Sequence, residues 1–89
     1  MKQKFIETAG GYYIRLLPQN YGILYREHDR EKSCPTGPWR IEIDKGVDLD
    51  LAVEIFKLLH TTMIKWASVE QVLEHLNALL PSQPEGGAS

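Results

Sequence analysis

The sequence predicts an α+β fold, in which an antiparallel sheet of three to four strands, arranged as a meander, is followed by two helices packed on one face. Short runs of β-branched and aromatic residues, separated by turn formers, occupy much of residues 4–44. Apolar residues at the helical spacing of three and four then dominate residues 48–63 and 69–80. Because every strand precedes both helices, sequential strands are expected to pair with one another.

Four segments carry the strand pattern. Apolar and polar side chains alternate most strictly in residues 39–44, and the other three predicted strands are residues 4–8, 12–17 and 21–27. Glycines at 10 and 11 mark the first reversal, and a proline at 18 with an asparagine at 20 marks the second, since these residues favour turns. Residues 28–38 are predicted to form a loop that is long for so small a domain, and such loops are either functional or mobile.

Two helices are predicted in the second half of the chain. The first spans residues 48–63, with the Asp48 carboxylate as its N-cap. Apolar residues cover most of its circumference, so it needs neighbours on two sides, and Phe56 is expected at the centre of its core-facing stripe. The second helix spans residues 69–80 and starts with a Ser-x-x-Gln capping box at Ser68.

The composition indicates one small domain. Residues 1–81 are expected to form it, and residues 82–89, rich in proline, glycine and serine, are expected to form a disordered tail. The chain has 89 residues, 43% of them apolar and 25% charged, which is close to the average of soluble proteins. No apolar run is long enough for a membrane span or a secretion signal, so a cytoplasmic location is expected.

The net charge of −2 is unevenly distributed along the chain. Residues 1–40 carry seven basic and four acidic side chains, whereas residues 41–89 carry three basic and eight acidic ones. Such polarity is suited to steering a partner or to pairing two copies, although the two halves of one folded domain can also neutralise each other.

No constellation in the sequence indicates catalysis, and no metal site or cofactor is expected. Cys34 has no second cysteine with which to form an internal disulfide, and no cysteine or histidine pair lies near it. His28, His60 and His75 each stand alone, without ligand-type residues at metal-binding spacing. We therefore expect a protein that is not an enzyme.

One face of the predicted sheet is a candidate partner-binding surface. If Ile14 and Leu16 point into the core, the opposite face collects tyrosine, arginine and leucine side chains. These candidate residues are Tyr13, Arg15, Leu17, Leu24, Arg26 and Arg40. Arginine and tyrosine are common in protein-binding hot spots, but the same residues could also stack on and neutralise a single-stranded nucleic acid.

The first helix has more apolar surface than one sheet and one helix are expected to cover. The residues expected to remain uncovered, and to support a homodimer, are Leu51, Leu58, Thr62 and Leu79. The sequence therefore predicts a small regulatory module of the adaptor or inhibitor kind, which binds another protein and self-associates. Nucleic-acid binding through the sheet face is the alternative.

Overall fold

A computed structural model gives the fold, and it describes residues 2–29, 31–32 and 34–80. The strands are β1 (Lys4–Thr8), β2 (Tyr13–Leu17), β3 (Tyr21–Tyr25), β4 (His28–Asp29), β5 (Cys34–Pro35) and β6 (Arg40–Ile41). The helices are α1 (Leu49–Thr61) and α2 (Val69–Leu79), joined by the 3₁₀ turn Ile64–Trp66. The predicted tail, residues 82–89, lies outside the described residues, as does residue 81.

The main sheet has the strand order β1-β2-β3-β6, and every neighbouring pair is antiparallel. Helix α2 packs against β1, and α1 packs against α2. The α+β fold predicted from the sequence is therefore confirmed. Within the predicted loop 28–38, β4 and β5 pair to form a small separate ribbon.

Backbone hydrogen bonds to β3 continue beyond the last residue of strand β6. Beyond β6, the backbone N–H of Glu42 donates to the carbonyl of Ile23 at 2.8 Å, and that of Asp44 donates to Gly22 at 3.0 Å. The chain thus runs beside β3 as far as Asp44, but the regular strand Arg40–Ile41 is shorter than the predicted strand over residues 39–44.

A bulge in the pairing of β2 with β3 changes which side chains face the core. Ile14 lies opposite Leu24 and Arg15 lies opposite Gly22, so Ile23 is an extra residue in β3. Ile23 and Leu24 are both buried. The prediction that Leu24 lies on the exposed face is wrong, because one inserted residue moves every later side chain of the strand to the other face.

The core lies between the sheet and the two helices and contains residues from every part of the chain. Its buried members are Phe5, Ile14, Leu16, Ile23, Leu24, Trp39, Ile55, Leu59, Ile64, Val72 and Leu76.

Helix α1 is rotated relative to the prediction. Ile55 and Leu59 are its buried residues, whereas Phe56 is 54% exposed. Neighbouring residues of a helix differ by about 100° in direction, so burial of Ile55 turns Phe56 away from the core. The prediction that Phe56 lies at the centre of the core-facing stripe is wrong.

The helix starts agree with the sequence. The Asp48 carboxylate accepts a hydrogen bond from the N–H of Leu51 at 3.2 Å. The Ser68 hydroxyl accepts from the N–H of Gln71, and the Gln71 side chain accepts from the N–H of Ser68, which completes the capping box. These bonds satisfy amides that have no partner inside their own helices.

A side chain of α2 covers one edge of the sheet. The Asn77 carboxamide oxygen accepts from the N–H of Phe5 at 2.9 Å, and its NH₂ group lies 3.4 Å from the Phe5 carbonyl. Edge strands expose backbone groups that other chains can pair with, and Asn77 occupies such a pair of groups on β1.

Replacing Asn77 by alanine should lower the free energy of unfolding by about 1–3 kcal/mol, because both Phe5 backbone groups lose their partner at a partly buried position. Urea denaturation of the purified variant measures this. Glu74→Ala, at an exposed position of the same helix, is the control and should change stability by less than about 0.5 kcal/mol. Equal effects of the two substitutions would contradict the role assigned to Asn77.

The rotation of α1 can be tested by two alanine substitutions at neighbouring positions. Ile55→Ala should destabilise the fold by about 2–5 kcal/mol, because Ile55 is 0% exposed and its removal leaves a cavity. Phe56→Ala should cost less than about 1 kcal/mol, because this side chain is largely in solvent. Thermal and urea unfolding of both variants measure the change in the free energy of unfolding. A larger decrease for Phe56→Ala than for Ile55→Ala would contradict our assignment of the buried face of α1.

Candidate protein-interaction surface

The outer face of the sheet, opposite the helices, retains three of the predicted residues on β2. Tyr13, Arg15 and Leu17 alternate with the buried Ile14 and Leu16, so they lie on the outer face and are half-buried. The Arg15 guanidinium lies over the Tyr13 ring at 4.5 Å from its centroid. This part of the predicted surface therefore exists as a stacked pair with an apolar neighbour.

Tyr13 is held in place by the backbone of β3 and by Glu42. A Cβ atom at Gly22 would lie 2.6 Å from the Tyr13 hydroxyl oxygen, so a larger residue there would displace this ring from its position. The Tyr13 side chain also forms a hydrogen bond with Glu42. Partial burial, and then this hydrogen bond, raise the pKa of Tyr13 above its usual 10.0, because both favour the neutral phenol.

Charges on the outer face are mixed and not uniformly basic. Arg40 lies opposite Tyr25 and forms an exposed ion pair with Glu27 at 3.0 Å. The alternation that places Arg40 on the outer face places Glu42 and Asp44 there as well. The Asp44 carboxylate accepts from the N–H of Gly22 at 2.7 Å.

Arg26 does not lie on the outer face, contrary to the prediction. It follows the bulge and is buried on the core side. Its Nε donates to the Gly37 carbonyl at 2.7 Å and its Nη1 to the Ala67 carbonyl at 2.8 Å, while its guanidinium lies 5.6 Å from the centroid of the Trp39 ring. Burial lowers the pKa of Arg26, because the charged form loses hydration.

Arg26 thus connects the end of β3 to the segment before β6 and to the turn before α2. Trp39 makes the same connection, since its indole N–H donates to the Ala67 carbonyl at 3.1 Å. A cleft of about 300 Å³ opens beside Arg26, but Glu7 and Glu70 line it too. Opposite charges share this cleft, so it favours neither an anion nor a cation, and we assign Arg26 a structural role.

The predicted self-association residues lie near the edge of the core. Leu51, Leu58 and Leu79 are half-buried and pack against the core. Thr62 is exposed, and its hydroxyl donates to the Leu58 carbonyl. Most of the apolar surface of these leucines is therefore already in use within the domain.

The exposed apolar residues of α1 form a different surface, which we call the exposed stripe. Its members have exposed fractions between 42% and 86%, and they lie on α1, directly after its C-cap and in the 3₁₀ turn. They are Leu49, Val53, Phe56, Met63 and Trp66. The Phe56 ring lies 4.4 Å from the ring of His60, whose Nδ1 donates to the Phe56 carbonyl at 2.9 Å. The ring of His60 therefore extends the stripe.

Sequence reasoning missed the exposed stripe, although its spacing was visible. Leu49, Val53 and Phe56 are separated by four and three residues, which places them on one helix face. The face that contains Ile55 and Leu59 shows the same spacing, so the sequence does not distinguish the buried face from the exposed one.

A groove separates the exposed stripe from the edge of the sheet. It has a volume of about 370 Å³. Phe56, Leu59 and His60 line it from α1, and Arg40 and Ile41 line it from β6. The exposed stripe and the edge of β6 therefore lie side by side and can contact the same partner.

Comparisons with protein-family models, with curated proteins and with solved structures find no match for this chain. In the described ranges, no helix is both long and apolar enough to cross a membrane. Residues 2–29, 31–32 and 34–80 contain no group of three or more histidine, cysteine or acidic side chains placed to hold a metal ion.

The contact between Tyr13 and Glu42 predicts a defined pH dependence. Because the pKa of Tyr13 is raised in the folded state, the stability that its neutral hydroxyl contributes is fully present below pH 10.0 and is lost as the pH rises further. Spectrophotometric titration should show a phenol ionising above pH 10.0, and Tyr13→Phe should remove that step.

Glu42→Gln is the matched variant for this titration, because it removes the negative charge and keeps a hydrogen-bond acceptor. The ionisation step should then move down towards pH 10.0. A titration curve that is the same in wild type and in Tyr13→Phe would show that Tyr13 is not the group with the raised pKa.

Proposed function

We propose that this chain is a non-enzymatic regulatory module of the adaptor or inhibitor kind, which acts by binding another protein through the exposed stripe. The single observation that carries the proposal is the set of large apolar side chains that α1 and the 3₁₀ turn expose to solvent, of which Phe56 borders a groove. Single exposed apolar residues are ordinary, but a contiguous apolar patch beside a groove is typical of protein-binding surfaces. The cytoplasmic location predicted from the sequence stays part of this proposal.

The composition of the exposed stripe supports a protein as the ligand. Phe56 and Trp66 are aromatic and Met63 is flexible, and these three residue types are enriched in protein interfaces. Charged residues line the rest of the surface of α1, at Asp50, Glu54 and Lys57. An apolar centre with a charged border resembles the arrangement of binding patches that dock a partner and exclude water.

The non-enzymatic part of the proposal is supported by the hydrogen bonds that ionisable side chains form with the backbone. Asp44 and Asp48 accept backbone hydrogen bonds, and Asp29 accepts from the N–H groups of residues 31 and 32. The imidazole Nδ1 atoms of His60 and His75 donate to carbonyls one turn earlier in their helices. These contacts account for the named residues as structural groups.

Nucleic-acid binding through the outer sheet face is the weaker proposal. It rested on three arginines beside a tyrosine, but Arg26 is buried and Arg40 already pairs with Glu27. Glu42 also lies close to Tyr13. Phosphate groups would meet these carboxylates, so the mixed charge favours a protein surface over a polyanion.

Site-specific photo-crosslinking tests the proposed function. A photoreactive amino acid at position 56 should form discrete adducts with a specific protein in the source cells, because Phe56 lies in the exposed stripe. The same amino acid at position 57 is the control, since Lys57 is also exposed but lies on the charged side of α1. Mass spectrometry identifies the adducts. Absence of adducts at position 56, or identical adducts from both positions, would refute the proposal.

A further inference from the structure

The β6 edge of the sheet exposes unpaired backbone groups. Alternate residues of an antiparallel strand direct both backbone groups towards the same side. Arg40 and Glu42 pair with β3, so Ile41 and Ile43 direct their N–H and C=O groups away from it. Within the described part of the chain, these groups of Ile41 and Ile43 have no hydrogen-bond partner.

The open part of this edge is short and has a defined centre. At its beginning, the N–H of Trp39 donates to the Lys65 carbonyl at 2.8 Å, so the 3₁₀ turn occupies the edge there. At its end, the chain turns at Gly46, which has φ of 98°. Glu42 lies in the middle of the segment that remains free for pairing.

We propose that a second copy of this chain occupies the β6 edge and the exposed stripe, forming a two-fold symmetric dimer with its axis at Glu42. This inference rests on the proposed function, because it concerns the same exposed stripe: the second copy covers the stripe until another protein competes for it. In this register Ile41 of each copy lies opposite Ile43 of the other, and both pairs exchange backbone hydrogen bonds. The two sheets become one continuous sheet of eight strands.

Charge complementarity supports a second copy as the occupant. The same register places Arg40 of each copy opposite Asp44 of the other on the outer face. Within each copy Arg40 pairs with Glu27 and the Asp44 carboxylate accepts from the Gly22 N–H. Both groups have further donor or acceptor sites for a charged contact across the interface. A strand one residue out of this register would place charged residues opposite isoleucines. In this register each residue of the edge thus lies opposite a residue of complementary character, except on the axis, where Glu42 lies opposite Glu42.

The position of α1 supports the same arrangement. Phe56 and Ile41 line one groove, so a second sheet added at β6 brings its own α1 towards the first. The two exposed stripes then contact each other across the two-fold axis. A two-fold interface is self-complementary, so it leaves no further copy of the same surface uncovered. One interface thus pairs the free backbone groups of the β6 edge and buries the apolar side chains of the exposed stripe.

Glu42 makes the arrangement testable, because a residue on the axis faces its own copy. Like charges directly opposite each other are destabilising, so Glu42 weakens the dimer. A homodimer of the Glu42→Lys variant also places like charges opposite each other. In a heterodimer of this variant with wild type, a lysine lies opposite a glutamate. The heterodimer should therefore bind about tenfold more tightly than either homodimer.

Sedimentation equilibrium measures the three dissociation constants, and hydrogen exchange locates the interface. The amides of Ile41 and Ile43 should become protected as the wild-type concentration rises. Glu54→Lys is the matched control, since it makes the same charge change at an exposed position on the charged side of α1. Mixing this variant with wild type should give no preference for the heterodimer.

Three results would overturn the inference. One is a monomer mass for wild type and for the mixture throughout the micromolar range. The others are a dimer in which Ile41 and Ile43 stay unprotected, and a mixture without preference for the heterodimer. The proposed function fails separately, through the photo-crosslinking at position 56. A monomer that forms adducts with a different protein at that position would refute the dimer and retain the proposed function.

Discussion

The bulge at Ile23 is the constraint on which the rest of the structure depends. By adding one residue to β3, it brings Ile23 and Leu24 into the core together and turns Arg26 inward behind them. Arg26 then binds the carbonyls of Gly37 and Ala67, and so it fixes the segment before β6 and the turn before α2 relative to the sheet. A strand without the bulge would place a charged side chain in water and leave both carbonyls without this donor.

Much of the fold could be predicted from the sequence, because its signals are local. The strand limits of β1, the cap at Asp48 and the capping box at Ser68 depend on residues within a few positions of each other. The bulge could not be predicted, since it depends on how Ile14 and Gly22 fit across two strands. A glycine within a strand, such as Gly22, is typical of a bulge, but it indicates neither the place of the extra residue nor its effect on Leu24 and Arg26.

The candidate site was predicted less well, for a related reason. In its sheet half, the predicted orientation of the side chains was correct where alternation was regular, at Tyr13, Arg15 and Leu17, and wrong at Leu24 and Arg26 beyond the bulge. Its helix half depended on the rotation of α1, which tertiary packing decides. A helix that is apolar nearly all round gives no periodic signal for one face over another. The sequence therefore does not indicate that Phe56 is exposed.

The contact between Asn77 and Phe5 has a consequence for the size that any sheet-based assembly can reach. Growth of a β-structure into a filament requires that each added unit present a fresh acceptor edge at its far end. On this chain the far end is β1, where a carboxamide already occupies the backbone groups of Phe5. Asn77 thus interrupts that far edge at Phe5, so that an assembly built by addition at β6 meets an obstructed strand there and not a fully open one.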